Sequence, residues 1–114
     1  MTALHQLLKA KTLHLPLKAK WYEMIESGVK TEEYREVKPY WSKRLTGVEH
    51  PLFSIRYGYR SANQNGYTHI KFSYGYTKRT MTFECKGITI GKGKAEWGAP
   101  DNDVFIIKLG KRIE

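Results

Sequence analysis

The chain has 114 residues and a mass of 13.3 kDa, enough for one hydrophobic core and too little for two. Apolar residues make up 40 % and aromatics 13 %, which excludes a disordered chain. Lysine and arginine number 20 against 11 aspartates and glutamates, a formal charge of +9, and the excess is shared by both halves of the chain rather than gathered in a tail. A field of that sign attracts polyanions, with nucleic acid the leading candidate and simple solubility the bland alternative.

In chain order, residues 1–10 read as a short helical lead-in, with Leu4, Leu7 and Leu8 on one face. Thr12 to Lys18 alternates, putting Leu13, Leu15 and Leu17 on one side of a strand, and Pro16 places that strand at an edge or a bulge. From Lys18 the period becomes helical through Leu17, Trp21, Met24 and Ile25, and Ser27-Gly28 reads as the helix end. Residues 30–37 read as a second strand despite their glutamates. Pro39 opens a second helix that carries Tyr40, Trp41 and Leu45 toward the core and stops at Gly47.

Residues 52–59 read as a strand. Residues 61–66 form a polar loop with an Asn-Gly turn signal. Strands are predicted over 67–74, over 80–90 with a bulge at Gly87, and over 104–109, with a Gly-rich loop at 91–100. The pattern predicts an α+β fold: one domain over 1–114, built as a small mixed β-barrel with two or three flanking helices.

Cys85 is the one cysteine, so no internal disulfide forms and a reducing, cytoplasmic setting is expected. Its parity with Met81 and Phe83 makes it a small core residue rather than a nucleophile. No secretory signal and no apolar run of spanning length is found, so no membrane partner is expected. His5, His14, His50 and His69 have no ligand spacing with Cys85, so no metal is expected. Residues 87–94 lack the order of a phosphate loop, and no cofactor is expected.

The densest chemistry lies at residues 27–41, SGVKTEEYREVKPYW. On a strand, Glu33 and Arg35 share a face, so the pair can hold one another in place. Lys30 follows the helix end and can reach toward Glu33. A lysine held against a carboxylate and partly buried can act as base, nucleophile or anion anchor. The competing reading is a solvated ladder of strand charges. Gly75 would let a ligand approach closely and Tyr76 could stack on a base, or the two are a turn glycine and a half-buried barrel tyrosine. Trp41 reads as a structural wall with one exposed edge. Lys18, Lys20, Lys38, Lys43, Arg44, Arg56, Arg60, Lys71, Lys78 and Arg79 would form a basic rim only if the fold gives them a common face.

Gly28-x-Lys30-x-x-Glu33-x-Arg35 resembles the G-x-K-x-x-E-x-R signature of ASCH domains, small PUA-like β-barrels. LPLKAKWYEMIESG resembles the strand and helix before that signature. Residues 36–44 resemble the extension of the bacterial and prophage subgroup. Phe72 with Gly75-Tyr76, Glu84 to Ile88, and Glu96-Trp97-Gly98 resemble its later strands. The resemblance touches most of residues 12–111.

It implies a cleft between helices and barrel that binds RNA or a nucleotide, with Gly28, Lys30, Glu33, Arg35, Trp41, Gly75 and Tyr76 at the ligand. It also implies an alternative, a hydrolase that removes the acyl group of N4-acetylcytidine. Lys30 would then be the base, assisted by Glu84 or Glu33, although Glu33 stands where that branch has threonine. Ribonuclease activity and a phage-linked protein-interaction module are the remaining alternatives.

Overall fold

The computed structural model describes residues 10–49 and 61–114. The predicted lead-in helix and the strand over 52–59 lie outside the described residues, as do His5, His50, Arg56 and Arg60. Strand β1 (Thr12–Leu17) buries Leu13, Leu15 and Leu17 on one face, as its alternation requires.

Helix α1 (Ala19–Glu26) follows at once. It turns Tyr22 and Ile25 fully inward, while Trp21 and Met24 are only half-buried, so its apolar face is rotated by about one residue from the predicted one. Gly28 takes φ +87°. That left-handed turn reverses the chain, so the Lys30 amide closes on the Met24 carbonyl at 3.0 Å.

Strand β2 (Glu32–Glu36) leads to helix α2 (Pro39–Thr46), which starts on its proline and ends at Gly47. Leu45 enters the core and Trp41 packs against its margin. Tyr40, expected inward, is 63 % exposed. The remaining strands are β3 (His69–Tyr74), β4 (Thr80–Gly91) and β5 (Val104–Arg112), with a single 3-10 turn at Ala95–Trp97 between the last two.

The five strands form one sheet in the order β1-β3-β4-β5-β2, with β1 and β3 parallel and the other neighbours antiparallel. Register shifts interrupt β4 against β5 between Phe83 and Cys85 and between Cys85 and Gly87, at the predicted bulge. The bulges let the sheet curl into a half-barrel around Leu15, Phe72, Met81, Phe105 and Ile107. Cys85 packs at the edge of this core, and burial pushes its thiol pKa up. Among the described residues β1 and β2 are the two ends of the sheet, so Pro16 stands on an edge strand there. The side chain of Arg35 crosses the seam between them and donates to the Pro16 carbonyl at 3.4 Å.

Candidate ligand-binding site

Lys30 is placed by the Gly28 turn at the entry to β2, and its side chain is 0 % exposed. Its ammonium lies 3.0 Å from Glu33 Oε1 and donates to the Trp97 carbonyl at 2.7 Å. The rings of Tyr34 and Trp21 stand 4.7 and 5.3 Å from it, measured to their centres. Burial lowers the pKa of Lys30 below its ordinary 10.5, and the Glu33 carboxylate opposes that shift.

Glu33, with 6 % of its side chain exposed, uses its other oxygen to accept from Arg35 Nη1. The same Nη1 donates to the Tyr34 carbonyl at 2.8 Å. A chain of charge therefore runs from fully buried Lys30 through Glu33 to Arg35, whose side chain is 17 % exposed.

The loop before β5 closes over the buried end. Gly98, at φ +96°, lies so near Trp21 that a Cβ there would stand 2.9 Å from the ring. Trp97 and Ala99 pack with Tyr34, Val104 and Ile106. The Tyr34 hydroxyl donates to Glu32 Oε1 at 2.8 Å and accepts from the Lys94 amide at 3.1 Å. Burial, with the Glu32 bond, raises its pKa to about 12 against the opposing Lys94 bond.

Beside this loop opens a cleft of about 510 Å³ lined by Tyr34, Arg35, Glu36, Trp41, Gly98, Pro100 and Val104. Arg35 offers cationic N–H donors there, and the exposed Glu36 offers an acceptor while pairing with Lys38 at 3.0 Å. Pro100 and the half-buried Trp41 supply apolar surface. A cation, a carboxylate and apolar walls suit a planar ligand with donors, acceptors and a negative group. Trp41 is not a bare stacking platform: the guanidinium groups of Arg35 and Arg44 stand 5.2 and 5.3 Å from its ring centre, and Tyr40 meets it edge-on.

Of the sequence-predicted residues, the structure joins Lys30, Glu33 and Arg35 and places Trp41 against Arg35. Gly28 shapes the turn rather than lining the cleft. Glu84 is exposed on β4 opposite His69, and neither the ion pairs nor the hydrogen bonds of Lys30 and Glu33 reach it. Gly75 and Tyr76 line a separate groove of about 240 Å³ with Pro16, Leu17 and Lys18, where Tyr76 is 98 % exposed.

The proposed basic rim is only partly assembled. Arg44 joins Arg35 at Trp41, whereas Arg79 pairs with Glu26, and Lys71 faces a groove with His14 and His69. Tyr34, Glu36, Gly98 and Pro100 were not singled out beforehand. The signal for Tyr34 and Glu36 was their place beside the signature; Gly98 was marked only within the Glu96-Trp97-Gly98 stretch, and nothing marked Pro100.

Among the described residues, no helix is long and apolar enough to cross a membrane, and no group of three or more His, Cys, Asp or Glu side chains is arranged to hold a metal ion. Comparison with protein-family models, with curated proteins and with solved structures finds no match.

Proposed function

We propose that this chain is a PUA-like ASCH domain that binds RNA or a nucleotide in the cleft at Arg35. The observation that carries the reading is the relay Lys30–Glu33–Arg35, closed at one end and open to the cleft at the other. Burying such charges costs several kcal/mol per ion, about as much as the pairing returns, so stability alone does not call for them. The relay does hold a guanidinium in one orientation at the cleft wall. Arg35 takes a phosphate or a base carbonyl, and Glu36, rather than the fully engaged Glu33, accepts from a base amino group. The net charge of +9 favours the approach of such a ligand.

The test is calorimetric titration of the protein with cytidine 5′-monophosphate and with a six-nucleotide RNA. Binding that falls about tenfold or more in Arg35→Gln supports the reading. Equal affinity in both proteins, or no binding of either probe, would refute it.

A second reading, hydrolysis of an acylated base, has one observation in its favour: burial loosens the proton on Lys30. It requires the Ala95–Trp97 turn to open, because the Lys30 ammonium is closed in by the Trp97 carbonyl and two rings. Glu33 would be the assisting carboxylate, since Glu84 stands apart. Turnover of N4-acetylcytidine that is lost in Lys30→Met would establish it, and no turnover in the wild type would exclude it for that substrate.

A further inference from the structure

We infer that Arg35 and Arg44 form a two-phosphate track along the edge of β1 that faces away from β3, so that the ligand of this surface is a single strand of RNA rather than a free nucleotide. The inference rests on the proposed cleft reading and deepens it.

It starts from the backbone of β1. The Lys11 carbonyl accepts from the His69 amide, and the Leu17 carbonyl accepts from the Gly75 amide at 2.8 Å. Odd-numbered carbonyls of this strand therefore point toward β3. Even-numbered ones point to the opposite edge, which has no neighbouring strand among the described residues. Two of these edge carbonyls are taken by arginines: Arg44 Nη2 donates to His14 O at 3.0 Å, and Arg35 Nη2 donates to Pro16 O at 3.4 Å.

The anchor points are two residues apart on one strand, so they are about 6.6 Å apart. Both guanidinium groups lie against the Trp41 ring, 5.2 and 5.3 Å from its centre. Arg44 has no carboxylate partner among the described residues. Its Nη1 donates to the Tyr40 hydroxyl at 3.3 Å. Both guanidinium groups keep N–H donors to spare, because a guanidinium carries five.

Edge strands need cover, and one long side chain would block pairing. Here two cations are fixed at a set spacing beside a cleft that suits a base. A mononucleotide has one phosphate and can engage only one of them. Successive phosphates of a strand can engage both, with a base entering the cleft at Arg35.

Wild type, Arg44→Gln and Arg44→Lys would be titrated with cytidine 5′-monophosphate and a six-nucleotide oligocytidine RNA over a series of salt concentrations. In Arg44→Gln the ratio of oligonucleotide to mononucleotide affinity should fall about tenfold, and the log–log salt slope for the oligonucleotide should drop by about 0.7. Arg44→Lys should keep most of the slope, because the charge remains. If Arg44→Gln does not fold, the wild-type slope decides: two phosphates require roughly 1.4 or more in magnitude, and a clearly smaller slope overturns the track. An unchanged ratio and slope in Arg44→Gln, with binding still weakened by Arg35→Gln, would overturn the track and leave the cleft reading standing. No binding of either probe to the wild type would overturn both.

Discussion

The ammonium of Lys30 and the carboxylate of Glu33 lie 3.0 Å apart, with Arg35 on the second oxygen of the same carboxylate. One buried anion thus serves two cations, and the three groups are not equivalent. Glu33→Gln leaves Lys30 and Arg35 facing each other and should cost about 3–5 kcal/mol. Lys30→Met removes a desolvated charge while Glu33 keeps Arg35, so its cost should be clearly smaller. Urea unfolding of the two variants checks the order. Equal losses, or a larger loss in Lys30→Met, would contradict the relay.

Lys30 and Tyr34 give the alkaline stability opposite slopes. With Lys30 depressed below 10.5, the unfolded chain holds that proton longer than the folded one as pH rises, so this group makes stability increase with pH in the window ending near 10.5. Tyr34 is raised from 10.0 to about 12, so the unfolded chain ionises first. Its contribution is complete below pH 10 and is lost as pH climbs toward 12. In an ultraviolet titration, Tyr34 should ionise near pH 12, and Tyr34→Phe should remove that late step. Retention of the late step in Tyr34→Phe would assign it elsewhere.

Gly98→Ala should destabilise the protein by about 1–3 kcal/mol. The new methyl meets the Trp21 ring, and φ +96° is a conformation that L side chains rarely adopt. Because Trp97 precedes it, the substitution should also disturb the carbonyl that holds Lys30. Thermal unfolding together with the Trp97 indole NMR signal reads both effects. A fully stable variant with an unshifted signal would show that the loop does not close on Trp21.

How much of this was legible beforehand varies with the range of the interaction. The end of α1 at Gly28, the start of α2 at Pro39 and the bulge at Gly87 were all readable, because each follows from backbone limits of single residues. The Glu33–Arg35 contact followed from strand parity. The second partner of Lys30, beyond Glu33, did not, since it is a backbone carbonyl 67 residues away in a loop with no periodic pattern. Strand ends also shifted: β3 starts at His69 rather than Tyr67, and β5 continues to Arg112. Glu84 was paired with Lys30 by resemblance, but sheet order places it on an exposed face two strands from β2. Arg44 read as one basic residue among many until α2 set it beside the β1 edge.

Charge alone does not define Arg35. Arg35→Lys keeps the cation but loses the planar fork that serves Glu33, the Tyr34 carbonyl and the Pro16 carbonyl together. Affinity for a six-nucleotide RNA should fall about tenfold, with a stability loss of about 1–2 kcal/mol. Calorimetry and denaturant unfolding measure the two. Wild-type affinity in Arg35→Lys would mean that the cleft needs only a point charge.

The most direct test is an NMR titration of the labelled protein with a short RNA oligonucleotide at two salt concentrations, following backbone amides and arginine side-chain signals. The predicted result is a set of shifts gathered at Arg35, Glu36, Trp41 and Gly98 that persists at the higher salt. Shifts scattered over the basic surface that vanish with salt, or none at all, would contradict a binding cleft and leave Lys30, Glu33 and Arg35 as a brace across the seam of the sheet.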